Sequence, residues 1–490
     1  MTAETQSFPE STGAPSFESI KLRLRYKKDG SQVQYTDSAE IDLLEMNVVG
    51  EIHYYETVFS PATSVMMTIV NPNTRTKLFE DYALLGGERV EFKIRDFLSH
   101  NSAEPGLTYA GVVTQVDNYT SNNFAEIFRI RITTEWRFPK GSGLSGTITG
   151  SPSEIAKAMI KGAYDKNPNA AIYEAGSTAN LYADDATNEI TINIGQEKKD
   201  NVMAVVMALA ALSRTGERSA GYFFYRNKYG FQFRAIDKII SDGILGVKAK
   251  DPQNKLTNEE TQDINFPAGY LYQYEYTGYN PGAVENPEAS LFNAISFKVQ
   301  TSDYAEKDQA RLQGGNLFIS ADPLKYTFIA SSQKNLNIGN ELGWKYLKDS
   351  SFSIQSDYPD DDQLYYNTQN LGLQPASLFK DAEGISSLKF SSNPHEDSAV
   401  GRARYASLLS VSCVMTVPLN LNLIAGTMVS VNIPRLKPQQ ECNTEEEIVP
   451  SEYSGLYIIA AVCHAMDRKK GYSTLHIVRD FGKFNTVLVN

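Results

Sequence analysis

The sequence predicts an α+β chain, mostly β, in which two β regions flank an α/β module and the second of them carries a loop-rich insertion. Three observations carry that expectation. Runs alternating apolar and polar residues with a period of two fill residues 20–138 and return toward the C-terminus. Helical spacing is confined to the module between them and to one short stretch near residues 397–408. The chain also has 28 Tyr and 23 Phe among its 490 residues, types that favour strands. A length prior of ~150 residues per domain divides such a chain into roughly three.

Taken in order, residues 1–16 read as a flexible arm, with neither the basic start nor the apolar run of a signal peptide. Residues 17–146 form the first β domain. "IKLRLRY" alternates, "EIHYYETVF" and "SVMMTIVNP" flank a Ser60-Pro61 turn, and "EIFRIRITTEW" sets its arginines on one face. Residues 147–240 form the α/β module. Ser151 or Ser153 can cap a helix over 154–164, a second helix covers 199–213, and "GYFFYRNKYGFQFRAI" reads as a hairpin turning near Asn227 and Lys228. From 241 to about 280 the chain reads as polar connection. A second β domain occupies 241–330 and 395–490, interrupted by the loop-rich insertion 331–394. "VMMTIVNP" (65–72) and "GNLFISADP" (315–323) echo one another, which points to two related β units.

The formal net charge of −12 and the scatter of the basic residues lack the footprint of a dedicated nucleic-acid binder. The cysteines Cys413, Cys442 and Cys463 are odd in number, so they read as thiols rather than a disulfide framework. The longest apolar run, "VMAVVMALAAL", is too short to span a bilayer, which takes ~20 residues. Candidate chemistry is sparse. In "GLYIIAAVCHAM", Cys463 and His464 point to opposite faces of one strand, so they cannot share a metal; Cys463 is expected buried and His464 on the polar face or strand end. "GSGLSG" (141–146) lacks the strand-turn-helix context of a dinucleotide loop, "DYPDDDQ" (357–363) lacks the glycine and final glutamate of a calcium loop, and "ECNTEEEIVP" (441–450) reads as an exposed hairpin tip. No catalytic, cofactor-binding or metal residue is expected.

"LLEMNVVGEIHYYETVFSPATSVMMTIVNP" followed by "LLGGERVEFKIRDF" resembles the opening of the baseplate central hub proteins of contractile-tailed, T-even-like bacteriophages. "SPSEIAKAMIKGAYDK" and "GYFFYRNKYGFQFRAIDKII" are similar to the middle module of that family. "NLIAGTMVSVNIP" with "SGLYIIAAVCHAMDRKKGYSTLHIVRD" resembles the closing β domain that such hubs share with type VI secretion spikes. The resemblance implies two tube-like β-barrel domains per chain, a homotrimer, and a ring that adapts a six-fold tail tube to a three-fold central spike. Its implied partners are the spike protein, tail tube or tube-initiator proteins, and tape measure and wedge proteins. DNA would pass through without specific binding, and no membrane insertion is implied. The implied location is the virion tail baseplate, assembled in the host bacterial cytoplasm. In such hubs long hairpins line the lumen, and the matching segments are 44–57 with 64–72 and 292–301 with 311–322. Their candidate lumen or inter-subunit residues are Glu51, His53, Tyr55, Met66, Thr68, Val70, Ser296, Lys298, Asn316, Phe318 and Ser320.

Overall fold

The computed structural model describes residues 14–27, 40–72, 82–96, 106–121, 125–134, 146–165, 181–194, 202–215, 221–250, 272–276, 291–301, 316–322, 327–333, 405, 408–409, 411–433 and 453–479. The segments "DYPDDDQ" and "ECNTEEEIVP", nearly all of the insertion 331–394, Cys442 and most of the stretch 397–408 lie outside them, as does "GSGLSG" apart from Gly146.

The first β region contributes β1 (Ser16–Arg23), β2 (Tyr26–Lys27), β3 (Glu40–Asp42), β4 (Val49–Thr57), β5 (Ser64–Pro72), β6 (Tyr82–Ala83), β7 (Arg89–Arg95), β8 (Leu107–Ser121) and β9 (Ala125–Thr133). The middle module adds β10 (Gly146–Gly150), α1 (Pro152–Asp165), β11 (Leu181–Ala183), β12 (Ile190–Ile194), α2 (Val202–Leu212), β13 (Tyr222–Asn227), β14 (Gly230–Ala235) and α3 (Ile236–Lys250). Then follow β15 (Tyr272–Glu275), β16 (Ser296–Thr301), β17 (Asn316–Asp322), β18 (Thr327–Gln333), β19 (Val411–Pro418), β20 (Met428–Asn432), β21 (Gly455–Met466) and β22 (Gly471–Arg479). The chain is α+β and mostly β. No strand pairing among the described residues closes either β region into a barrel.

The two β regions are one sheet. Its main path runs β16-β19-β22-β21-β4-β5-β9-β8-β7-β1-β3. Within the same sheet, with β20 branching off that path beside β21, β7-β8-β9-β5-β4 and β20-β21-β22-β19-β16 have the same order, the same chain sequence and antiparallel pairing at every step. The chain is therefore an internal duplication in topology. Even the irregularities correspond, since β8 bulges between Val113 and Gln115 against β9 as β21 does between Ile459 and Ala461 against β22. Such a bulge bends a strand and strengthens its twist. The counterpart of "VMMTIVNP" in β5 is "VSCVMTVP" in β19, not the segment of β17 expected from the sequence echo. Nor does β16 pair with β17: β16 pairs with β19, and β17 forms a separate hairpin with β18. The inserted residues between β16 and β19 separate two strands that are sequential in the first unit.

Each unit wraps a core set by its period-two alternation. Ile52, Tyr54, Val65, Met67, Ile69, Ile130 and Ile132 turn inward in the first unit, and Cys413, Met415, Leu475 and Ile477 in the second. Burying one such side chain fully contributes ~1.5–3 kcal/mol. Leu419, Leu421 and Met466 of the second unit complete the core of the first.

The middle module folds as the spacing predicts. Ser151 caps α1, its Oγ accepting from the Glu154 amide at 3.3 Å, with Pro152 at the first helical position. The β13–β14 hairpin turns at Lys228 and Tyr229, and Gly230 takes φ 110°. The stretch expected to be connection after residue 240 is instead the body of α3. Its Ser241, Asp242, Gly243 and Gly246 hide the helical signal, and tertiary packing explains one glycine: a Cβ at Gly243 would lie 2.2 Å from Met428 Cγ. Arg234, 1% exposed, holds the module's sheet to α3 by donating from Nε to Asp184 Oδ2 at 2.9 Å and from Nη2 to Asp242.

Candidate functional site

The face opposite the cores is the candidate site. Along β4, Glu51, His53, Tyr55 and Thr57 alternate with the buried Ile52, Tyr54 and Glu56; along β5, Ser64, Met66, Thr68 and Val70 do the same. Register carries this stripe across the neighbouring strands. His53 pairs with Met66, which pairs with Arg131, and Arg131 with Gln115; Thr68 pairs with Arg129, and Arg129 with Asp117. In the other direction Tyr55 lies beside Cys463, Cys463 beside Thr474, Thr474 beside Thr416 and Thr416 beside Ser296. Lys298 reaches the same face through Val414 and His476. The expected residues Glu51, His53, Tyr55, Met66, Thr68, Val70, Ser296 and Lys298 thus share one continuous half-exposed surface, because β4 and β21 join the two units edge to edge. Asn316, Phe318 and Ser320 lie on β17, which pairs with β18 and not with this sheet.

Sequence reasoning missed Arg129, Arg131, Gln115, Asp117, Tyr472, Thr474 and His476 as members of this surface. The alternation in "EIFRIRIT" was the signal for the two arginines; only pairing could show which face they join. The surface is polar without a strong sign. Glu51 Oε1 lies 2.8 Å from His53 Nε2, Asp117 Oδ2 4.0 Å from Arg131 Nη2, and the Ser412 hydroxyl 2.6 Å from His476 Nε2. Arg129, Arg131 and Lys298 offset Glu51 and Asp117, so the chain's overall negative charge does not describe this face.

Cys463 and His464 do point to opposite faces, but with the expected burial reversed. The bulge after Ile459 sets the alternation so that Cys463 is half-buried beside Tyr55, and His464 enters the core at 1% exposure. The core accepts an imidazole because all its polar atoms are satisfied: Nδ1 lies 2.8 Å from Ser473 Oγ and Nε2 3.1 Å from the Leu423 carbonyl. Its ring stacks on Tyr54 across the junction, centroids 6.1 Å apart. Burial lowers its pKa to about 3, so it is neutral there. Burial also pushes the Cys463 thiol up, which leaves it a poor nucleophile.

The junction is locked by the loop 419–426. Glu56, 1% exposed, accepts from the Ala425 amide at 3.0 Å, the Lys228 amide at 2.7 Å and Tyr54 Oη at 2.6 Å. Burial raises its pKa to about 7 against those donors. Asp96 accepts from the Leu421 amide at 2.6 Å, and Lys228 Nζ donates to the Leu421 carbonyl at 2.9 Å. First unit, middle module and second unit therefore converge on one loop. Among the described residues no group of three or more His, Cys, Asp or Glu could hold a metal ion.

Neither a protein-family model nor a curated protein matches the sequence. In fold, the chain is similar to the tail protein from Neisseria meningitidis MC58, with a TM-score of 0.44 and 9% identity over 95% of this chain and 97% of that one. It is also similar to the 43 kDa tail protein of prophage MuSo2 from Shewanella oneidensis, with a TM-score of 0.43 and 10% identity over 94% of this chain and 98% of that one. A third is an Escherichia coli component of the type VI secretion system described as similar in structure to bacteriophage tail proteins, with a TM-score of 0.37 and 8% identity over 89% and 74% of the two chains.

Proposed function

We propose that the chain is a non-enzymatic structural hub of a contractile phage tail, a homotrimer whose ring adapts a six-fold tail tube to a three-fold central spike. The observation that carries this reading is the edge-to-edge fusion of two topologically equivalent β units into one sheet. A trimer of such a chain presents the same unit six times around an axis while keeping three-fold symmetry, which is what an adaptor between those two symmetries requires. The continuous polar face, with Glu51, His53, Tyr55, Met66, Thr68, Val70, Ser296 and Lys298, is its channel wall. Balanced charges of both signs favour passage of DNA over capture, since phosphate binding needs a net basic track. The divisions 17–146, 147–240, 241–330 and 395–490 serve as the domain plan, with 331–394 as the segment that meets the spike, tube or wedge proteins. Assembly belongs to the host cytoplasm, ahead of incorporation into the virion.

Light scattering after size exclusion, with negative-stain images of the peak, tests the proposal. Three-fold rings with an open lumen are the expected result. A compact monomer at all concentrations would overturn it, and turnover in a glycan-release assay would overturn its non-enzymatic part.

A further inference from the structure

Inside the chain, β21 serves two neighbours. Residues 455–458 pair with β20, and residues 461–466, beyond the bulge, pair with β4 of the first unit. The duplication puts the same construction in the first unit. There β8 pairs with β7 over 107–112 and then bulges, while residues 114–121 have no strand on that edge among the described residues. Correspondingly, β16 is the counterpart of β4 and, among the described residues, ends the sheet, its one strand partner being β19. The strand that fills the β21 position thus has a free copy, β16, and the position itself has a free copy, the second half of β8. Both lie in one chain, at sites that its own sheet does not join.

We infer that β16 of one copy pairs antiparallel with residues 114–121 of β8 of the next copy, repeating the internal β4–β21 junction. The inference rests on the ring reading and supplies its subunit contact. A head-to-tail contact of this kind closes into a ring or runs on as a filament, depending on its rotation. Since the internal junction already sets the step between units, repeating it between copies keeps one step all round the ring. It also removes the two open edges, which on an isolated chain are sites of promiscuous pairing. The polar face becomes continuous between copies, because Lys298 corresponds to His53 through its pairing with Val414, as His53 pairs with Met66. Lys298 and Gln300 on one edge, and Thr114, Gln115 and Thr120 on the other, are exposed and accessible to a partner.

The internal junction sets His53 opposite Ala465 and Tyr55 opposite Cys463. Carried over by the shared pairings, and counting the bulge of β16 between Val299 and Thr301, these become Lys298 opposite Thr120 and Thr301 opposite Asp117. The test is oxidative cross-linking of the full chain carrying Lys298→Cys with Thr120→Cys, or Thr301→Cys with Asp117→Cys. Facing strand residues lie within the ~4.4–6.8 Å Cα separation that a disulfide spans. The expected result is a ladder of covalent dimer and trimer on a non-reducing gel, with each single variant, native cysteines in place, staying monomeric on the gel. A ring seen by scattering and imaging in which neither pair cross-links would overturn this contact and leave the ring standing. A chain that stays monomeric and uncross-linked would overturn the ring reading beneath it.

Discussion

Residues 84–88 and 423–427 make the same turn in the two β units and satisfy it differently. In the first unit the Gly87 amide donates to the Val113 carbonyl at 2.7 Å, and the Val113 amide to the Glu88 carbonyl at 2.8 Å. In the second, Gly426 donates to Ile459 at 2.9 Å, and Ile459 to Thr427 at 2.8 Å. Both glycines have positive φ, 90° and 80°. The amides just before them need an acceptor. Glu88 supplies it locally, taking the Leu85 and Gly86 amides at 2.9 Å each. Thr427 stands where Glu88 would, and the acceptor for Ala425 is Glu56, from the other unit and 369 residues away. The first unit's turn is self-sufficient and the second's is completed by its neighbour. Duplicated topology has been turned into a specific joint by moving one carboxylate from turn to neighbouring strand.

Removing that borrowed carboxylate has the largest expected effect. Glu56→Ala strands two backbone amides in a buried site and should cost ~3 kcal/mol of stability, since each unsatisfied buried group costs ~1–3 kcal/mol. Urea unfolding followed by circular dichroism measures it, and a loss under ~1 kcal/mol would mean that the joint is held by packing alone. Next in size is the contrast between the glycines. Gly426→Ala should cost ~2 kcal/mol or more, because its Cβ would sit 1.8 Å from Tyr225 Oη in the core as well as straining the left-handed backbone. Gly87→Ala should cost only ~1 kcal/mol, since its Cβ meets the movable end of Arg25. Equal losses in the two would remove the distinction between the turns.

A smaller effect sharpens the comparison from the other side. Thr427→Glu in the Glu56→Ala background gives the second turn the local carboxylate that Glu88 provides in the first. It should recover ~1 kcal/mol, the value of a typical buried hydrogen bond, and no recovery would show that the turns are not interchangeable. The smallest is a pH effect. Glu56, raised to about 7, binds a proton in the fold that the unfolded chain has lost above ~4.3, so its contribution falls as pH rises from there to 7. His464, lowered to about 3, stays neutral in the fold while the unfolded chain protonates below ~6.5, so its contribution falls as pH falls from there. The slopes oppose one another between pH ~4.5 and ~6.5. Glu56→Gln removes one of them. Its stability should therefore rise with pH across this window more steeply than that of the unsubstituted chain, by up to ~1.4 kcal/mol per pH unit. Parallel profiles in urea titrations would show that Glu56 does not hold a proton there.

Local features of the fold were legible wherever one short segment carried the whole signal. The alternation in "EIHYYETVF" placed Glu51 and His53 opposite Ile52 and Tyr54, "SPSE" marked the start of α1, and "RNKYG" marked its hairpin. The β16–β17 pairing failed because both segments look like strands and nothing local says which edge each meets. His464 failed for a related reason: a histidine beside a cysteine reads as the polar one, until Ser473, Leu423 and Tyr54 are seen to satisfy it. The continuous face was half legible, since its residues were named strand by strand but nothing joined 51–57 to 461–466.

The sequence by itself determined the alternation of faces along each strand, where α1 begins, and that two β regions flank a mixed module. Those follow from side-chain periodicity and capping chemistry, which act over a few residues. Tertiary structure alone decided that the two regions share one sheet, that β19 rather than β17 repeats β5, and that Glu56 completes a turn in the other unit. Strand pairing depends on which backbone edges are left free once each unit has folded, and on bulges that shift register by one residue and so exchange the faces. That choice is made between segments hundreds of residues apart, where no local pattern in the chain can record it.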